Sequence, residues 1–351
     1  MRQSTDFARV DQGAMPLAEL WRGGLPESAH LGHLVIADAG GIREHWGNPG
    51  AIIFPRSSCK MIQALPLLES GAAAAAGLQP RHLALACASH EGAALHVGAV
   101  SRWLQDLGLG EADLRCGAHE PRDKAERNRL IRAAEPPCQL HNNCSGKHAG
   151  FLTVNRHLGA GPDYGEYDHP LQQAIRQTTA EVAGEELAGW GVDGCSAPNF
   201  AFSLQGLARA MARFAVAREG QAGARGDAMA RLVQAMIAHP DLVAGEGRAC
   251  TGLMRAAEGR AAIKVGAEGV FVAILPEQGL GIALKCVDGN ARAAEVALSA
   301  VLVRLGVIAA GHPLAQKWQD PVQRSWRGIE AGVLRADPAL HRPLNQGAGK
   351  A

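Results

Sequence analysis

A chain of 351 residues, of which 47% are hydrophobic, is long enough for one large domain or two closely packed lobes. A formal net charge of +1 excludes the strongly basic proteins that bind nucleic acid, and no stretch approaches the roughly 20 apolar residues that span a membrane. Residues 1–10 lack the apolar run of a secretory signal, so we expect a cytoplasmic protein. The eight scattered cysteines include no C-x-x-C pair, and we expect them to be mostly reduced, with Cys87 and Cys286 packed in the core.

Apolar periodicity predicts strands near both ends of the chain and mostly helices between them. Residues 34–37 and 51–54 read as short buried strands, 83–88 as a third apolar run, 115–139 as irregular, and 189–199 as a Gly-rich loop. Helices are predicted over 57–68, 93–107, 146–158, 204–217, 228–238 and 293–305, with 220–226 as a flexible connection.

Three short apolar runs joined by Gly-containing turns, 261–264, 270–275 and 280–287, predict an antiparallel meander. With helices packed around it, this gives an α+β fold with an antiparallel sheet rather than a doubly wound sheet. We expect residues 1–335 to form a single catalytic unit of two intimately packed lobes. The Pro- and Gly-rich segment 336–351 is expected to be a frayed tail.

Ser57 and Lys60 form an S-x-x-K motif at the start of the predicted helix 57–68. Residues three apart lie on one helix face, so the Lys60 amine is expected to reach the Ser57 hydroxyl. A serine becomes a nucleophile when a nearby base takes its proton, and a lysine serves if burial or a neighbouring cation lowers its pKa. The same spacing also arises by chance, with the serine as a helix cap and the lysine in solvent. The motif alone therefore does not identify a catalytic site.

Ser89-His90-Glu91 follows the run 83–88, and Lys264-Val265-Gly266 ends the first strand of the meander. Taken singly, these segments are equally typical of a polar turn and of a strand end at the surface. In the order S-x-x-K, Ser-containing turn and K-x-G, they match the arrangement of serine β-lactamases and penicillin-binding proteins. The middle element is Ser-His-Glu instead of Ser-Asp-Asn, so the match supports a reaction class and a fold but no substrate.

A fourth motif, residues 141–148 with the sequence His-Asn-Asn-Cys-Ser-Gly-Lys-His, places Cys144 three residues before Lys147. A further cysteine, Cys195, follows in a distant Gly-rich segment. Thiolates favour zinc, whereas a lysine amine is a rare ligand that requires a strongly lowered pKa. From spacing alone, two buried thiols and a helix-capping lysine are the simpler interpretation.

Together these segments resemble the rhizobial-type, thermolabile L-asparaginase II family, which has a serine β-lactamase-like fold. The resemblance covers about residues 15–335. The matching segments are Arg22-Gly23, Glu27-Ser28, residues 54–60, Cys87-Ala88-Ser89-His90, residues 141–151, Gly191 to Cys195, Pro198-Asn199, residues 264–269 and Trp326-Arg327-Gly328. Departures from the family pattern are Phe151, where smaller aliphatic residues are common, and Ser196-Ala197.

The resemblance implies two Ser–Lys tandems, zinc and a homodimer that hydrolyses L-asparagine to L-aspartate and ammonia through an acyl-serine. The implied catalytic residues are Ser57 with Lys60 and Ser89 with Lys264; the zinc ligands are Cys144, Lys147 and Cys195; the residues near substrate are Asp193, Arg56 and His90.

Two alternatives remain open at this stage. One is a related amidase of the same mechanism that acts on glutamine or on a D-amino-acid amide. The other is a non-catalytic zinc-binding homologue. The presence of both Ser–Lys pairs argues against the second, because a degenerate homologue would be free to lose them.

Overall fold

The computed structural model describes residues 9–342 and the backbone of 345–346. Its strands are β1 (Met15–Arg22), β2 (Leu25–Asp38), β3 (Gly41–Trp46), β4 (Ile52–Ile53), β5 (Gly189–Val192), β6 (Pro198–Ser203), β7 (Ala262–Val265), β8 (Val270–Leu275), β9 (Leu280–Cys286), β10 (Val322–Arg324), β11 (Glu330–Ala336) and β12 (Asn345–Gln346).

The α-helices are α1 (Lys60–Gln63), α2 (Leu65–Glu69), α3 (Ala72–Ala75), α4 (Pro80–Ala86), α5 (Ala94–Asp106), α6 (Lys124–Ala133), α7 (Ser145–Leu158), α8 (Pro170–Ala183), α9 (Leu204–Val216), α10 (Gly223–Ala238), α11 (Pro240–Val243), α12 (Ala249–Ala256) and α13 (Ala291–Arg304). Short 3-10 helices span Arg56–Cys59, Glu111–Asp113, Gln139–His141, Gln316–Trp318 and Pro338–His341.

The main sheet is antiparallel and runs in the order β10-β11-β1-β2-β9-β8-β7, with β3 paired to β2 and β12 paired to β3. This confirms the predicted α+β class with an antiparallel sheet and packed helices. Helix α9 packs on β2, β8 and β9, and α13 contacts β1, β8, β9 and β11. A Cβ at Gly281 would lie 2.1 Å from the backbone nitrogen of Ala212, so a glycine in β9 allows α9 to approach the sheet closely.

A second lobe of helices carries the small sheet β4-β6-β5. Helix α4 packs between α7 and α10, and one hydrophobic core continues from these helices into the main sheet. Across the described residues, no helix is both long and apolar enough to cross a bilayer. Because the two lobes share their core, side chains from both reach the space between α4, α7 and β7.

Several local predictions were wrong. The apolar run 83–88 was interpreted as a buried strand, but residues 83–86 belong to helix α4, which starts with Pro80 in the first turn, where proline is tolerated. The single helix expected over 57–68 is divided into a 3-10 turn, α1 and α2. Residues 115–139 contain α6, 189–199 contain β5 and the start of β6, and α10 begins inside the connection expected over 220–226. Helix α8 and the strands β1 and β3 were not anticipated.

The predicted tail 336–351 is partly structured. Strand β11 ends at Ala336, a 3-10 helix follows over Pro338–His341, and β12 pairs with β3 through Asn345 and His45. Residues 1–8, 343–344 and 347–351 lie outside the described part of the chain.

Candidate active site

The hydroxyl of Ser89 lies between two buried lysine amines. The Nζ atoms of Lys60 and Lys264 are 3.0 Å and 2.8 Å from Ser89 Oγ. Lys60 also donates to the carbonyl of Ala88, and Lys264 donates to the carbonyl of Val265 at 2.9 Å. The exposed fractions of Ser89, Lys60 and Lys264 are 7%, 1% and 0%, so the cluster is almost free of solvent. Folding therefore joins three of the four predicted catalytic residues.

Backbone hydrogen bonds fix the segment that carries Ser89. This residue follows the end of α4, and its N–H donates to the carbonyl of Val243 at 2.8 Å. The next N–H, of His90, donates to the carbonyl of Asn143 at 3.2 Å. The segment is thus anchored on both sides, and Ser89 has little freedom to move away from the two amines.

Burial and charge together lower the pKa of Lys264 to about 7. The main cause is desolvation, which disfavours the ammonium form, and repulsion from Lys60 adds to it. A substantial fraction of Lys264 is therefore neutral near pH 7. A neutral amine 2.8 Å from a hydroxyl is able to accept its proton.

Ser57, the predicted nucleophile, lies half-buried in the 3-10 helix Arg56–Cys59. Within residues 9–342 its hydroxyl forms no hydrogen bond, and the Lys60 amine donates to the Ala88 carbonyl and the Ser89 hydroxyl. The predicted side-chain contact between Ser57 and Lys60 is therefore absent from this arrangement. Lys60 instead reaches across to the other serine.

Strand β7 lies directly against the helix that carries Ser57. A Cβ added at Gly266 would be 2.5 Å from the carbonyl oxygen of Pro55 and 3.2 Å from Ser58 Cβ. Only glycine permits this approach without displacement of the backbone. The glycine of the Lys-Val-Gly motif thus brings the strand that carries Lys264 next to Ser57.

Arg56 and Asp193 form an ion pair beside this helix. Nε and Nη2 of Arg56 lie 2.9 Å and 2.7 Å from the same carboxylate oxygen of Asp193. Although burial opposes the charged form, Lys147 and Arg56 hold the pKa of Asp193 below its usual range. Arg56 has a φ of 53°, uncommon for a non-glycine residue, and its N–H is 3.4 Å from the side-chain oxygen of Asn199. Side-chain contacts therefore hold a strained residue next to Ser57.

The His90 ring is buried, and both of its nitrogens are hydrogen-bonded within the protein. Its Nδ1 accepts from the N–H of Gly92 at 3.2 Å, so its Nε2 carries the proton and donates to the hydroxyl of Ser145 at 2.9 Å. Burial, with smaller contributions from His96 and Lys60, lowers the pKa of His90 well below its ordinary value. Both ring nitrogens are engaged, so His90, predicted to bind substrate, instead fixes the neighbouring helix α7.

The three predicted zinc ligands lie together. Lys147 Nζ is 3.0 Å from Cys195 Sγ, and the Cys144 thiol donates to the side-chain oxygen of Asn143 at 3.1 Å. The neighbouring Cys144 thiol, together with attraction to Lys147, lowers the pKa of Cys195 well below its ordinary value despite burial. The neighbouring Cys195 sulfur and burial raise the pKa of Cys144 to about 12.

The donor chemistry of this cluster fits zinc, because two sulfur ligands with one nitrogen suit a borderline-soft cation. The fit requires Lys147 to give up its proton. In the protein alone, desolvation favours that loss, but the charges of Cys195 and Cys144 outweigh it and raise the pKa of Lys147. Phe151, a departure from the family pattern, places its ring 5.1 Å from the Lys147 amine and helps to enclose it.

A cavity of about 370 Å³ opens beside Arg56 and Asn199. Its wall is mostly apolar and includes Phe54 and Val192. A larger groove, of about 840 Å³, runs along α8 and includes none of the predicted site residues. Size alone therefore does not locate the site. The smaller cavity is lined by Arg56, but not by Ser57, Ser89 or Lys264.

The family model for L-asparaginase II matches residues 18–336, which is most of the chain. The chain belongs to the L-asparaginase II family. It is accordingly an amidohydrolase of the L-asparaginase type with a small-molecule substrate.

Comparison with other proteins adds two distant neighbours among solved structures. A putative β-lactamase from Bacteroides dorei aligns over 76% of this chain and 92% of its own, with 10% identity and a TM-score of 0.42. A β-lactamase from Mycobacterium bovis aligns over 75% and 89%, with 13% identity and a TM-score of 0.38. No curated protein matches the sequence.

Sequence reasoning missed several residues that shape the site. A Cβ at Gly146 would lie 2.5 Å from the carbonyl oxygen of Leu85, so this glycine lets α7 pack tightly on α4. Cys250 accepts a hydrogen bond from the N–H of Val265 at 3.2 Å and steadies the strand beside Lys264. Gly146 and Gly266 both lie inside motifs that the sequence had singled out, but their role depends on neighbours that only the fold reveals.

Proposed function

We propose that this member of the L-asparaginase II family hydrolyses L-asparagine to L-aspartate and ammonia, with Ser57 as the nucleophile and the Lys60–Ser89–Lys264 cluster as its proton relay. The single observation that carries the proposal is the pair of buried amines on the Ser89 hydroxyl, one of them with a pKa of about 7. Such an arrangement moves protons near neutral pH and is costly to bury without a use.

In the first step, Ser57 Oγ forms a bond to the side-chain amide carbon of asparagine. Ser57 is the better candidate because it is only partly buried and its hydroxyl forms no competing hydrogen bond in the described chain, whereas Ser89 is held by both lysines. The first N–H groups of a helix lack intrahelical partners, and that of Ser57 is available for the developing oxyanion.

The proton released by Ser57 passes through the Ser89 hydroxyl to the neutral amine of Lys264. From there it returns to the amide nitrogen as the C–N bond breaks, so that ammonia leaves and a β-aspartyl ester remains on Ser57. Water then attacks the ester with the same relay as base, which releases aspartate and restores Ser57. Lys60, which stays next to Lys264, keeps the pKa of the latter low through repulsion.

Recognition of the amino acid falls to Arg56 and Asp193 beside the cavity. The Arg56 guanidinium suits the substrate α-carboxylate, and the Asp193 carboxylate suits the α-ammonium group. Their ion pair in the free protein favours the charged form of Asp193 and holds both side chains in position before substrate arrives.

We further propose that Cys144, Lys147 and Cys195 hold a zinc ion. When bound, the ion would supply a positive charge that orders the turn from Asp193 to Ala197, whose backbone closes through the N–H of Asp193 on the Ala197 carbonyl at 2.9 Å. The chemistry at Ser57 needs only serine and lysine side chains. We also propose that the protein is a homodimer in the cytoplasm, as the family resemblance implies. Light scattering tests the oligomeric state.

The decisive experiment compares Ser57→Ala with Ser58→Ala. Both remove one hydroxyl from the same 3-10 helix, but Ser58 is turned away and donates to the Pro55 carbonyl at 2.7 Å. We expect release of ammonia from L-asparagine to vanish in Ser57→Ala and to persist in Ser58→Ala. Mass spectrometry of rapidly quenched protein should locate the acyl group on the peptide with Ser57.

An acyl group on Ser89 would transfer the role of nucleophile to that residue and overturn the assignment to Ser57. A panel that includes L-glutamine and D-asparagine tests the substrate. If ammonia is released faster from either of these, that compound replaces L-asparagine as the proposed substrate. If protein with bound zinc turns over no amide, the non-catalytic alternative is supported.

A further inference from the structure

A cluster outside the active site brings together three different metal-binding groups. One ligand atom from each of His30, Cys286 and Asp288 lies within 4.8 Å of the others. His30 Nδ1 is 2.6 Å from one carboxylate oxygen of Asp288, and the thiol of Cys286 donates to the other at 2.9 Å. The sequence had suggested core packing for Cys286, and nothing in its motifs connected these residues.

The sheet register explains why the three side chains meet. Gly32 of β2 is directly opposite Cys286 of β9, and the pairing continues through the Val287 N–H, which donates to the Leu31 carbonyl at 2.8 Å. His30 lies in β2 and Cys286 is the last residue of β9, whereas Asp288 lies in the turn that follows β9. The Asp288 carboxylate contacts both His30 Nδ1 and the Cys286 thiol, so the turn is held against the two paired strands.

The histidine of the cluster is buried. His30 is 5% exposed, and its Nδ1 is the ring nitrogen that faces the Asp288 carboxylate. Cys286 is fully buried, while the side chain of Asp288 is 47% exposed and opens the cluster to solvent. A buried imidazole and thiol that share one carboxylate, with one open side, have the form of a three-ligand metal site with an entry path.

The charges around the cluster also suit a cation. Asp288 lies two residues before Asn290, which caps α13, and its carboxylate accepts the Asn290 N–H at 2.9 Å. The adjacent Lys285 amine is engaged by the carbonyls of Glu268 and Cys286. A thiolate and a carboxylate together balance a divalent ion, so the burial of an uncompensated charge is avoided.

We propose that His30, Cys286 and Asp288 form a second cation site, specific for zinc-like divalent metals and separate from Cys144, Lys147 and Cys195. The ion binds the imidazole, the thiolate and a carboxylate oxygen, and the Cys286 thiol proton passes to solvent. Water occupies the fourth position on the open side. The site ties β2 to the connection between β9 and α13, and it stands whether or not the proposed activity is correct.

The test uses cobalt as the probe in a chain that lacks the other thiol pair. In the full-length Cys144→Ser/Cys195→Ser background, Co²⁺ should bind to about one equivalent per chain and give a thiolate-to-cobalt charge-transfer band. Addition of Cys286→Ala should remove the band. Asp288→Asn should weaken cobalt affinity by about tenfold or more, whereas the exposed Asp168→Asn serves as the matched control and leaves it unchanged.

Circular dichroism of each metal-free variant verifies its fold. If the background does not fold, zinc content is compared between the wild-type chain and Cys286→Ala, which should differ by one equivalent. Absence of the cobalt band in a folded background, its survival in Cys286→Ala, or equal zinc content in the latter comparison would overturn the proposal.

Discussion

The amine of Lys264 lies 2.8 Å from the hydroxyl oxygen of Ser89, although the two residues are 175 positions apart in the chain. Neither group is exposed enough to be hydrated, so their hydrogen bonds come from each other, from Lys60 and from the Val265 carbonyl. The proposed chemistry relies on this contact.

Replacement of Ser89 by alanine should slow the reaction by roughly 10²–10⁴-fold, because the relay between Ser57 and Lys264 is interrupted. It should also reduce the free energy of unfolding by about 1–3 kcal/mol, since the buried amines lose their shared acceptor. Steady-state kinetics and urea denaturation measure the two effects. Unchanged kcat in a folded Ser89→Ala protein would remove Ser89 from the mechanism.

The value of kcat/KM should rise with pH and level off above about pH 7, as Lys264 loses its proton. The same lowered pKa affects stability. Between pH 7 and the ordinary lysine pKa of 10.5 the unfolded chain binds the proton and the folded chain does not, so Lys264 becomes less destabilising as pH rises through this window.

Lys264→Arg provides the matching test of that pH profile, because arginine keeps its charge throughout the accessible range. We expect low activity without the step near pH 7. Lys317→Arg is the control and should retain the wild-type profile. Lys317 is exposed, and its amine donates to the Gly247 carbonyl and lies 5.4 Å from the centre of the Trp318 ring. A step that survives in Lys264→Arg would assign the titration to another group.

Gly266→Ala should separate β7 from the helix that carries Ser57, because the new Cβ would lie 2.5 Å from the Pro55 carbonyl oxygen. We expect a loss of about 1–3 kcal/mol in stability and a lower kcat. Gly161→Ala adds the same methyl group where no atom lies within 4 Å and should change neither quantity. Thermal unfolding and ammonia release are the measurements, and equal behaviour of the two variants would exclude a tight approach at Gly266.

Asp193→Asn should raise KM for L-asparagine far more than it lowers kcat, because the lost charge would bind the substrate ammonium and orient Arg56. Glu246→Gln, which removes an acid from the exposed ion pair with Arg255, should leave both constants unchanged. If KM stays constant in Asp193→Asn, the ammonium must be recognised elsewhere.

Removal of metal by exhaustive chelation should leave ammonia release measurable, with the main loss in KM. The expected cause is a looser turn at Asp193, not a change in the groups that react at Ser57. Metal content by plasma mass spectrometry and kinetics on the same sample provide the comparison. Complete and reversible loss of kcat would give the ion a direct chemical role.

The reliable sequence predictions were those with strong periodicity. Helices α5, α7 and α9 and the meander β7–β9 were placed within a few residues because each has a long apolar face or sharp Gly-containing turns. The run 83–88 failed because six apolar residues fit a buried strand as well as a short helix. Helix α6 failed because its sequence is mostly charged.

At the site, the fold brings together most of the side chains that the sequence had singled out, but not in all of the predicted pairs. Same-face spacing predicted that Lys60 would contact Ser57, yet the positive φ of Arg56 and the 3-10 geometry before α1 direct the lysine toward Ser89. Likewise, the ion pair of Arg56 with Asp193 and the cluster at His30 depend on strand pairing over long sequence distances. Local spacing contains no information about such contacts.

The groups around the reacting hydroxyls come from the 3-10 turn before α1, the end of α4, the start of α7, the β5–β6 hairpin and an edge strand near residue 264. No contiguous half of the polypeptide contains them all, so a proteolytic fragment should retain no residual turnover. Catalytic activity therefore requires the intact tertiary structure. The loss of activity on heating should coincide with cooperative unfolding.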